Sequence, residues 1–160
     1  HDVFEGQAMI DALGVVGQVT RVDMLSAEAV LISDPGHALP VEVNRNGLRT
    51  IALGTGDTSR IELPFLPNSA DIEPGDLLVS SGLGGAFPAG YPVARVMEVT
   101  RDPGRAFATI RAEPTAALNK EREVLLVWPR LTPIEPPLGT TVQGDPEAPV
   151  QSPDAGGGEG

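Results

Sequence analysis

Nineteen glycines and sixteen prolines divide this 160-residue chain into apolar runs too short to wind helices, and that punctuation constrains the fold more than any other feature. Within the runs, apolar residues alternate instead of recurring at helical spacing, which is the pattern of half-buried strands. In residues 39–45, LPVEVNR, the side chains of Leu39, Val41 and Val43 share one face, with Glu42 and Asn44 on the other. Asn46 and Gly47 follow, a pair that favours positive φ at both central positions of a tight hairpin turn. RIELPFL repeats the alternation with Ile61, Leu63 and Phe65, and Pro64 within it points to an edge strand or to its end. PGDLLVSSG, FATIRAEP and EREVLLVWP supply further strands, the last so apolar that it reads as central. The one candidate helical turn is PTAALNKERE at 114–123.

An internal repeat points in the same direction. GVVGQVTRV at 14–22 is similar to GYPVARVMEV at 90–99, and each is followed by an Asp-Pro-Gly turn, with Pro35 and Gly36 in one and Pro103 and Gly104 in the other. Proline presets φ at the second turn position, and glycine accepts positive φ at the third. Two related β units with frequent turns suggest small closed barrels, which remove the edges that short sheets must otherwise hide.

Chemistry is thinly represented. The chain has no cysteine, which excludes thiol catalysis and cysteine-bound metals, and its formal charge is −11. Five acidic residues and no Lys or Arg lie in residues 131–160, leaving 17 acidic and 11 basic residues upstream. No basic stripe exists to displace counterions from nucleic acid, and the scattered arginines make an anionic membrane surface a poor partner. The loop SSGLGGAFPAGYPVARV at 80–96 places its glycines wrongly for a nucleophile elbow, lacks the Lys of a phosphate loop, and leads into a strand where both motifs need a helix. His1 and His37 are the only histidines, so a serine hydrolase would need Ser80 or Ser81 within reach of His37. Carboxylate pairs such as Asp71 with Glu73 and Glu121 with Glu123 read as solvated strand-edge charges, and no metal-ligand spacing occurs. A wall-polysaccharide module would need an aromatic platform, and only six aromatic residues are present. Three of these, Phe65, Phe87 and Tyr91, stand beside prolines in irregular backbone, either presented at the surface as protein contacts or plugging barrel ends.

Taken together, GVVGQV, LISDPGHALPVEVNRNG, ELPFLPNSADIEPGDLLVSSGLGGAFPAGYPVARV and REVLLVW resemble the extracytoplasmic domain of the MreC family of bacterial rod-shape-determining proteins, in order through residues 3–128. The resemblance implies an all-β fold of two small six-stranded β-barrels, without enzymatic activity or cofactor. The first barrel would take residues of about 1–44 and 114–130, the second those of about 45–113. Residues 131–160, rich in Pro, Gly and acid, read as a flexible tail, since they bury too little to offset an ordering cost of about 1 to 2 kcal/mol per residue. The family's membrane helix and coiled coil are missing here, and the start at His1-Asp2 reads as that of an excised fragment.

The resemblance further implies a scaffold on the periplasmic side of the inner membrane. Such proteins self-associate and bind the elongation-specific penicillin-binding transpeptidase, alongside MreD, RodA and MreB, to direct lateral peptidoglycan synthesis. Phe65, with Leu66 beside it, Phe87 and Tyr91 are the candidate partner-binding residues. Asn46, Gly47, Gly82, Gly84, Gly85 and Gly90 join the two Asp-Pro-Gly turns as shaped connectors.

Overall fold

The computed structural model describes residues 2–119 and 124–127. The candidate tail at 131–160 and the carboxylates Glu121 and Glu123 lie outside them. Among the described residues ten strands follow one another: β1 (Ala8–Asp11), β2 (Gly14–Val22), β3 (Ala27–Leu31), β4 (Ala38–Val43), β5 (Arg49–Gly54), β6 (Ile61–Glu62), β7 (Leu77–Ser80), β8 (Pro92–Thr100), β9 (Thr109–Pro114) and β10 (Leu125–Val127). Every pairing is antiparallel. Six strands close a barrel in the order β4-β5-β6-β9-β8-β7, and the other four form a sheet in the order β10-β1-β2-β3. No helix occurs among the described residues: the candidate helical segment opens in β9, passes through bends and turns at 115–119, and then leaves the described residues.

The barrel is filled by the alternation that its strands carry. Leu39, Val41 and Val43 of β4, Ile61 of β6, Leu78 of β7, Val96 of β8 and Ile110 of β9 are each at most 1% exposed. The barrel takes in β4, so its strands begin ahead of the boundary near Asn44 that the repeat suggests. Between β4 and β5 the chain makes a hairpin, but with a four-residue connection. Val43 and Leu48 are bonded across its base and the Gly47 amide donates to the Val43 carbonyl. Gly47 alone takes positive φ, at 72°; Asn46 stays on the negative side. Instead of adopting the left-handed conformation, Asn46 uses its side chain, accepting from the Leu48 amide at 3.0 Å and donating to the Asp71 carbonyl at 2.8 Å.

The two Asp-Pro-Gly turns share a sequence and differ in shape. Both close with a bond from the fourth residue back to the aspartate carbonyl, His37 to Asp34 at 3.1 Å and Arg105 to Asp102 at 3.0 Å. Gly36 has φ 82°, the second-type turn, whereas Gly104 does not enter the positive region, and its amide is held by the Asp102 carboxylate at 2.9 Å.

The internal repeat is a structural one. β2 and β8 have register shifts at the same places. Against their preceding strands both carry an extra residue, Val16 or Val93; against their following strands the extra residue is Thr20 or Met97. The three-stranded meander β1-β2-β3 is therefore repeated as β7-β8-β9 down to its bulges, which bend each long strand. β10 pairs with β1 as β4 pairs with β7, so the four-stranded sheet matches the barrel without β5 and β6. One sequence-based expectation is corrected here: β10 ends the order of its sheet instead of lying centrally, and Leu125 is 67% exposed. Apolar composition alone does not separate an edge strand from an inner one.

Candidate interaction surface

The loop between β7 and β8 is organised by one hydroxyl. Ser80 is fully buried; its Oγ donates to the Pro88 carbonyl and accepts from the Tyr91 amide, while its own backbone bonds to both Gly90 and Tyr91. These bonds fold residues 81–90 back on themselves, a path that places Gly82, Gly84, Gly85 and Gly90 at φ between 73° and 90°. At the far side of the loop Phe87 drops into the core, 5% exposed, with its ring edge-on to His37 at a centroid distance of 6.0 Å.

This arrangement leaves the serine-hydrolase reading without its pair. Ser81 Oγ accepts from the Leu83 amide, and the imidazole partner of His37 is Gln18 Oε1 at 3.4 Å, not a serine. Burial holds His37 below its ordinary pKa, against a weaker opposing pull from Asp34. Gln18 in turn donates from its Nε2 to the Gly6 carbonyl. The pairing of amides and imidazole has no motif and is invisible in the sequence.

Of the carboxylates read as solvated edge charges, Asp71 is engaged. Arg45 forks between Asp71 and Asp76, each with an N–O contact at 3.0 Å, and the guanidinium holds both carboxyls below the usual carboxylate range. Arg101 works beside it, donating to the carbonyls of Asn68, Ala70 and Ile72. Together they fasten the long irregular connection between β6 and β7 to the barrel wall. Among the described residues no three candidate metal ligands cluster.

The four candidate contact side chains separate. Phe65 is 54% exposed, because the alternation of β6 breaks at Pro64 and Leu66 takes the inward place. Leu66 and Phe87 are buried and belong to the core, so of the two placements open to its ring Phe87 takes the inner one. Tyr91 is half-buried against the core. The structure adds exposed apolar residues that sequence reasoning passed over: Phe107 on the barrel, and Met24 with Leu25 at the tip of the β2–β3 hairpin. Phe107 bridges to Pro67, and the neighbouring Ala108 amide donates to the Leu66 carbonyl, so the chains carrying Phe65 and Phe107 run side by side. Next to them opens a cleft of about 410 Å³, walled by Pro64, Phe107, Ala108 and Ile110 and rimmed by Glu62 and Arg105. Open apolar side chains beside a shallow cleft are suited to holding another protein.

Comparison with known proteins agrees with this picture. The family described as "Rod shape-determining protein MreC, barrel core" matches residues 1–128. The cell shape-determining protein MreC of Escherichia coli (strain K12) is 52% identical over 128 residues, covering 80% of this chain and 35% of that protein. The chain thus spans about a third of the length of the curated relatives it matches. A crystal structure of MreC from Pseudomonas aeruginosa, 56% identical, superposes with a TM-score of 0.76 over 79% of this chain and 81% of that one. A complex between Penicillin-Binding Protein (PBP2) and MreC from Helicobacter pylori contains a chain of the same fold, 23% identical, with a TM-score of 0.60 over 78% of this chain and 80% of that one. The chain therefore belongs to the MreC family, a family of shape-determining scaffold proteins and not of known enzymes.

Proposed function

We propose that this chain is the periplasmic barrel core of a non-catalytic scaffold for cell elongation. It self-associates and binds the elongation-specific penicillin-binding transpeptidase, and through that contact takes part in directing lateral wall synthesis with MreD, RodA and MreB. Family membership supports the reading, as does the Helicobacter pylori MreC seen with PBP2. The observation that carries it to particular residues is the open ring of Phe65, in a turn anchored by buried Leu66, whose carbonyl accepts from the Ala108 amide. A ring so fixed loses little freedom on binding and offers apolar area to a partner.

The test is the affinity of the purified chain for the soluble part of the elongation transpeptidase. Phe65→Ala is expected to weaken binding by at least about 1 kcal/mol, roughly fivefold, with the fold unchanged by circular dichroism. Absence of any binding by the parent chain, or equal affinity in the variant, overturns the assignment.

A further inference from the structure

Resting on the self-association in that reading, we infer that the Met24-Leu25 tip of one copy seats in the Phe107 cleft of a second copy, joining the chains head to tail. Met24 and Leu25 are each 99% exposed, more so than any other large apolar side chain among the described residues. They occupy the centre of a turn whose Asp23 amide donates to the Ser26 carbonyl at 2.8 Å. Hairpin turns draw on Gly, Asn and Asp for positive φ and for solubility. Here neither central residue has positive φ, so turn geometry does not call for these two side chains, and they contribute nothing to the core.

The cleft on the barrel is the complementary shape. Its walls are Pro64, Phe107, Ala108 and Ile110, and its volume of about 410 Å³ admits the two tip side chains. Charge fits as well. Asp23 flanks the tip and is half-exposed, paired with Arg21 at 3.6 Å. Arg105 stands at the cleft rim, 72% exposed, with Asp102 at 3.8 Å. Both are long, solvated pairs of small worth, so exchanging them for an Asp23–Arg105 pair across the contact is cheap. Tip and cleft are different surfaces on different sheets, which makes the contact heterologous. Each added copy then leaves one tip and one cleft free to continue the array.

The experiment is sedimentation velocity on the whole 160-residue chain over a concentration series. The variants are Met24→Asp with Leu25→Asp for the tip, where no packing is at stake, and Phe107→Asp for the cleft. The parent is expected to form concentration-dependent species larger than a dimer, with each variant alone at least tenfold weaker in assembly. An equimolar mixture of the two variants, which pairs one intact cleft with one intact tip, is expected to stop at a two-copy complex. If the parent assembles and both variants assemble equally well, the tip-in-cleft contact is overturned and self-association stands. If the parent remains monomeric throughout, both fall.

Discussion

At the scale of the residue, two positions carry tests of how this structure is held. Gly84 sits at φ 77° with open space where a Cβ would stand, so a substitution there meets backbone strain and nothing else. Gly84→Val places a β-branched residue in the left-handed region, and about 1 to 2 kcal/mol of stability is expected to be lost in denaturant titration. An unchanged midpoint would show that the loop can re-form without that conformation. His37 provides a pH signature. Because burial lowers its pKa in the folded chain, the unfolded chain takes up a proton at the higher pH. The stabilising contribution is whole above about pH 6.5 and is lost as pH falls below that value. Unfolding free energy is expected to decline between about pH 7 and pH 5 in the parent and to stay flat in His37→Gln. Equal slopes would locate the titration in another group.

At the scale of the element, the least regular part of the barrel depends most on single side chains. The connection between β6 and β7 has little strand of its own, and Arg101 holds three of its carbonyls. Arg101→Ala is expected to destabilise the protein by at least about 1 kcal/mol, and Arg101→Lys to recover little, since an ammonium cannot span the carbonyls that a guanidinium fork reaches. A lysine variant with the melting temperature of the parent would contradict this. The elements themselves were legible where period and burial coincide: β4 was readable because Leu39, Val41 and Val43 face one core. The shape of the β4–β5 connection was not, because Asn46 bonds to a carbonyl 25 residues away. Nor could proline neighbours separate Phe65 from Phe87, since the contact of Phe87 with His37 that decides its burial is remote in sequence.

At the scale of the whole molecule, the barrel from β4 to β9 is inserted between β3 and β10 of the other sheet. The inserted barrel touches that sheet where β2 packs near β8, and just past β9 the Ala117 amide donates to the Asp11 carboxylate at 3.2 Å. Residues 38–114 close all six strands among themselves, so a fragment of that length is expected to unfold cooperatively, at a lower temperature than the parent because Phe87 loses its cover. Broad, non-cooperative melting would show instead that the barrel leans on its neighbour. The repeat suggested two related units from sequence likeness alone, and the shared bulges of β2 and β8 give that likeness a structural counterpart. The contact surface left no comparable trace, because exposed apolar residues obey no period. The place of β10 has a temporal consequence. β1 is synthesised well ahead of its partner β10, so one flank of it waits for Leu125–Val127. Until those residues are made, Ala8, Met9 and Ile10 present an uncapped ladder to whatever is nearby, so the pace of chain completion and the presence of holding chaperones bear directly on the yield of native protein.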